Sequence, residues 1–121
     1  MRVLICGSRK WNDRETMEWE FRDLPMDAVI IHGGAPGADN MAGSIAKARG
    51  MATDVYVAEW AKHGNAAGPI RNQRMLDEGH PDLVLAFPLP GSRGTWDMVR
   101  RAEKAGVEVR VIKQFKRCLS G

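Results

Sequence analysis

Apolar positions along the chain fall into two patterns that take turns. Short apolar runs at residues 2–6 (RVLIC), 27–31 (DAVII), 52–57 (ATDVYV), 82–87 (DLVLAF) and 107–112 (VEVRVI) have the length and composition of strands. Between them the spacing turns helical. Met17, Phe21 and Leu24 recur at i, i+4, i+7 over residues 13–24, which Pro25 closes. Ala38, Met41, Ala42 and Ile45 share one face over residues 38–49, with Gly50 as a natural C-cap. Residues 70–78 form a short predicted helix between Pro69 and Gly79. Met98, Ala102 and Ala105 line one face of the last predicted helix, residues 95–105, ended by Gly106. Residues 59–69 show no period and carry Gly64 and Gly68, so they are expected to form a long functional loop.

Strands alternating with helices imply a parallel sheet covered on both faces. At 121 residues one domain is expected. The pattern predicts a three-layer α/β domain over residues 1–112, with a mostly parallel five-stranded sheet and helices on both faces. A basic tail follows at residues 113–121. In such sheets ligands bind beyond the C-terminal strand ends, where strand order reverses. That directs attention to four loops, residues 7–11, 32–39, 59–71 and 88–97. Most of the 13 glycines lie in them.

Each loop carries groups suited to phosphate. In the first, Gly7 lets a ligand approach the backbone, Ser8 can donate, Arg9 can pair bidentately, and Trp11 can stack. In the second, Gly33, Gly34 and Gly37 expose amides beside a helix start, where the macrodipole favours an anion. His32 and Asp39 flank this loop. Each is read equally well as a structural residue or as a ligand contact. In the third, Gly68, Arg71 and Asn72 precede or open a short helix. Cations there oppose the dipole, a cost that a bound anion offsets. In the fourth, Gly91, Ser92, Arg93, Gly94 and Thr95 lead into a helix, and Asp97 could reach a ribose hydroxyl. Trp60 and Trp96 also sit beside glycine loops. Trp60, like Trp11, is a candidate stacking platform, whereas for Trp96 core packing is the commoner fate.

Net charge is +3, with the basic residues spread along the chain. That suits an anionic small molecule better than nucleic acid. Cys6 and Cys118 are read as a buried thiol and a free tail thiol. No Cys/His set fits a structural zinc site, so no metal is expected. No apolar run approaches the ~20 residues of a membrane span. No signal peptide is read, and a cytoplasmic protein is expected.

Four ordered blocks, GSRxW from Gly7, HGGAxGAD from His32, EWxxxGxxAGPxRNxxM from Glu59 and GSRGTxDMV from Gly91, resemble the SLOG superfamily. They are most similar to its small YspA-related group, over residues 1–112. The resemblance implies a Rossmann-like fold that binds nucleotides or nucleotide-derived ligands. Within the superfamily, LOG enzymes cleave the N-glycosidic bond of nucleoside 5′-monophosphates and carry a PGGxGTxxE hallmark after an RKxxM-like motif. Arg71 matches the Arg of the second motif, and residues 90–95 match PGGxGT with Ser92 for the second glycine. The hallmark Glu, however, falls on Met98. A thioether cannot move a proton, so cleavage would need Asp97 or Glu59, with Arg71 holding the phosphate.

The expected function is therefore binding of a nucleoside phosphate or ADP-ribose-like ligand, as sensor, sponge or carrier, with no further cofactor. The alternatives are an N-glycosidase using Asp97, Arg71 and Glu59, and a single-stranded DNA-binding accessory. Association into a dimer or larger homo-oligomer through an apolar helix face is also expected.

Overall fold

Successive residues of a strand face opposite ways, and β1 (Arg2–Gly7) serves two cores on that principle. Val3 and Ile5 enter one core, Leu4 and Cys6 the other. The same split runs through β2 (Val29–His32), with Ile30 on one side and Ile31 on the other. In β4 (Leu83–Phe87), Leu83, Leu85 and Phe87 face the first core, Val84 and Ala86 the second. The computed structural model describes residues 1–114. With β3 (Ala52–Val55) and β5 (Glu108–Val111), its five strands are all parallel, in the order β3-β2-β1-β4-β5. Leu4 stands between Ile31 and Val84 in register. β3 and β5 form the two edges.

Helices close both faces, as the apolar periods require. α1 (Arg14–Phe21) and α2 (Ala38–Ala48) bring Met17, Phe21, Ala42 and Ile45 onto the first core. α4 (Ala67–Asp77) and α5 (Arg93–Lys104) bring Met75, Leu76, Met98, Val99 and Ala102 onto the second. Each fully buried Leu, Ile, Phe or Met contributes about 1.5–3 kcal/mol over its exposed state. The loops at the strand ends therefore hang from a fixed scaffold.

Three elements differ from expectation. Residues 59–69 are largely helical: α3 (Trp60–His63) is followed by a 3-10 turn (Gly64–Ala66) that runs straight into α4. Gly64, at φ +56°, breaks the period between them. Pro69 is the third residue of α4, a first-turn position where its missing N–H costs no helical bond. α1 ends at Phe21, three residues short of Leu24, and Asp13 caps its start through Thr16 N at 3.1 Å. β3 is an edge strand with exposed Val55, not one buried on both faces. Most of the basic tail, with Cys118, lies outside the described residues. No helix among the described residues is long and apolar enough to cross a membrane.

Candidate functional site

Strand order reverses at β1, whose neighbours β2 and β4 lead to helices on opposite faces of the sheet. A crevice opens at the C-terminal ends of β1 and β4 for that reason. The cleft there encloses about 750 Å³, within the roughly 300–1,000 Å³ of small-molecule sites. Cys6, Gly7, Ser8, Arg9 and Lys10 line it from β1 and the first loop. Ala35 and Asp39 come from the α2 side, and Gly68, Arg71 and Asn72 from α4. The start of α5 supplies Gly91 to Thr95, then Asp97 and Arg100. Trp60 of α3 completes the lining with a half-exposed ring.

The two helix starts beside the cleft differ. At α2 the Ser8 carbonyl accepts from Ala38 N at 3.0 Å and from Trp11 N at 3.1 Å. Gly37 sits at φ +78°, and a Cβ there would overlap the Ser8 carbonyl and the Arg9 backbone. The first loop is thus seated on the N-terminus of α2. At α5 no side chain caps the helix and no acidic residue occupies the first turn. Ser92 Oγ is turned to the Leu89 backbone, donating to its carbonyl at 2.7 Å and accepting from its N–H at 2.9 Å. The amides of Gly94 and Thr95 have no hydrogen-bond partner among the described residues. These free donors and the helix dipole favour an anion at that point.

Charge reinforces the preference. Arg9, Lys10, Arg93 and Arg100 line the cleft, and none of them forms a salt bridge among the described residues. The Arg9 guanidinium lies 5.4 Å from the centre of the Trp60 ring. Arg71 donates through Nη1 to the Gly33 carbonyl at 3.0 Å and through Nε to Asn72 Oδ1 at 3.1 Å. Burial lowers its pKa, and the neighbouring Asp39 offsets part of that.

The two cleft carboxyls are held differently. Burial works against the charge of Asp97, but hydrogen bonds from Asn72 at 3.0 Å and Arg101 at 2.9 Å outweigh it and lower its pKa. Asn72 also donates to the Gly94 carbonyl at 3.2 Å, tying α4 to α5. Asp39 is 6% exposed. Burial pushes its pKa up to about 6, against hydrogen bonds from Ala35 and Gly33 and the charges of Arg71 and Arg9. Burial also raises the Cys6 thiol well above its ordinary range.

The structure brings together Gly7, Ser8, Arg9, Asp39, Gly68, Arg71, Asn72 and the residues of the fourth loop with Asp97. Six other candidates lie off the cleft. Trp11 is buried edge-on against Phe87, with its indole N–H on the Asp13 carbonyl at 3.0 Å. His32 accepts from Gly34 N through Nδ1 at 3.0 Å and packs under Gly43, and burial lowers its pKa. Gly33 leaves room for the Arg71 guanidinium, Gly34 faces Val55 and Val57, and Gly37 backs onto the first loop. Glu59 precedes α3 outside the lining, and Met98 is buried in the second core. Lys10 and Arg100 join the site unanticipated. Arg93, Asp97 and Arg100 stand at i, i+4, i+7, a spacing that marks one helix face.

The model of the YspA, cpYpsA-related SLOG family matches residues 1–63, just over half the chain. The chain belongs to that family. The match covers β1 to α3 and so the first two loops and Trp60. The α4 and α5 side of the cleft lies beyond it. The Gene 61 protein of Mycobacterium phage D29 is 42% identical over 118 residues, spanning 89% of this chain and 93% of that protein.

Proposed function

We propose that the cleft binds a nucleotide or nucleotide-derived ligand and holds its phosphoryl groups at the start of α5. One observation carries this reading. Among the described residues, two amides without a hydrogen-bond partner, in a helix turn without acidic residues, meet four cations that form no salt bridge. A helix built for stability alone would place an acid or a capping side chain there. Family membership supports a nucleotide-related role, and the half-exposed Trp60 offers a base a stacking surface.

Isothermal titration calorimetry with AMP, ADP, ADP-ribose and inorganic phosphate tests the proposal. Binding of at least one nucleotide, competed by phosphate and weakened by salt, is expected. Silence across all four ligands at millimolar concentration would refute it. The glycosidase reading has less support, because Asp97 is pinned by Asn72 and Arg101 and Glu59 lies off the cleft.

A further inference from the structure

Asp39 is the most deeply buried charged group in the cleft, and only half of its bonding capacity is used. Both internal bonds fall on one oxygen: Oδ2 accepts from Gly33 N at 3.1 Å and from Ala35 N at 3.3 Å. Oδ1 accepts no hydrogen bond from any described residue, and Arg71 stands beyond salt-bridge distance. Among the described residues, the one buried polar side-chain atom without a partner is Arg49 Nε. Asp39 Oδ1 therefore reaches the cleft, although its residue is 6% exposed.

An ionised carboxylate oxygen can only accept. A phosphoryl group at neutral pH is also an acceptor and carries like charge, so it does not belong against Oδ1. The phosphate-ready turn is on α5, whereas Asp39 is on α2. The ligand part that meets Asp39 is thus a donor away from the phosphate. A planar base is a poor match, because the exposed ring of the cleft, Trp60, is on α3, and Trp11 is buried against Phe87. We propose that Asp39 Oδ1 accepts a hydrogen bond from a pentose hydroxyl of the bound nucleotide, so that the cleft selects ribose over its deoxygenated forms. This inference rests on the nucleotide reading above.

A buried charged acceptor left unpaired by a deoxy ligand weakens binding by about tenfold or more. The test titrates the full chain with AMP and ADP, with the 2′,3′-dideoxy form of each, and with inorganic phosphate. The ribonucleotides are expected to bind about tenfold or more tighter than the dideoxy forms. In Asp39→Ala the paired affinities converge. The comparison on the unmodified protein needs no variant, so a folding defect in Asp39→Ala leaves the test intact. Equal affinity of ribo and dideoxy forms overturns this inference alone. So does a gap that survives Asp39→Ala, whereas binding of phosphate without either nucleotide contradicts the nucleotide reading and this inference together. If neither nucleotides nor phosphate bind, the nucleotide reading falls, and this inference with it.

Discussion

Replacing Asp39 by asparagine removes a charge that the fold keeps out of water and leaves an amide of almost the same shape. Burial moves the Asp39 pKa from 3.8 to about 6. Well above pH 6 the group is ionised whether the chain is folded or not, and the folded state carries the full cost of the buried charge. Well below pH 4 it is protonated in both states, and the cost is gone. Between these limits the folded chain binds more protons than the unfolded one, so this group makes stability fall as pH rises. A shift of roughly two pH units is worth about 3 kcal/mol. Asparagine lacks the titration and keeps an oxygen for the amides of Gly33 and Ala35. Stability of Asp39→Asn minus that of the parent chain is therefore expected to rise by about 2–3 kcal/mol from pH 4 to pH 8. Urea unfolding followed by circular dichroism at four pH values, without ligand, measures the difference. Taking it between two chains cancels every other titrating group. Parallel stability curves would refute the reasoning, because they would mean that Asp39 meets water as freely in the folded state as in the unfolded one.

Gly37→Ala is expected to cost about 2–5 kcal/mol in urea unfolding, since the new methyl meets the first-loop backbone at a positive φ. The tryptophans should separate cleanly: Trp11→Ala loses about 3–5 kcal/mol of stability, whereas Trp60→Ala is expected to change stability little and to weaken nucleotide binding in calorimetry. Arg93→Glu should reduce nucleotide affinity by about tenfold or more and flatten its salt dependence, with thermal stability nearly unchanged. Cys6 is expected to resist iodoacetamide at pH 8 until the chain unfolds, because burial keeps its thiol protonated. Peptide mass mapping would show this.

The sheet was legible because its signal is local. Five apolar runs separated by helical periods imply parallel order, and parallel order implies a cleft at the strand ends. The glycines of the first and fourth loops line that cleft for the same reason. What stayed hidden depends on contacts across the fold. Nothing in the order of Gly37, Ala38 and Asp39 says that the Ser8 carbonyl would take the first amide of α2. Of the four loops read as suited to phosphate, the proposed function therefore rests on the fourth rather than the second. Trp11 and Trp60 both sit next to glycines, yet only packing against Phe87 decides which is core. Gly64, Gly68 and Pro69 masked the helical character of residues 60–69 by interrupting its apolar period. The raised pKa of Asp39 comes from burial by the whole fold, which outweighs the nearby amides of Gly33 and Ala35 and the distant Arg71, so its direction is not readable from neighbouring residues in sequence.

Amide chemical-shift mapping of the isotope-labelled chain during titration with ADP tests most directly whether this crevice grips phosphoryl groups. The largest shifts are expected at Gly94 and Thr95, with smaller ones at residues 8–10, 33–35 and 71–72. Shifts confined to the edge strands or to α1, or an unchanged spectrum at millimolar ADP, would contradict it.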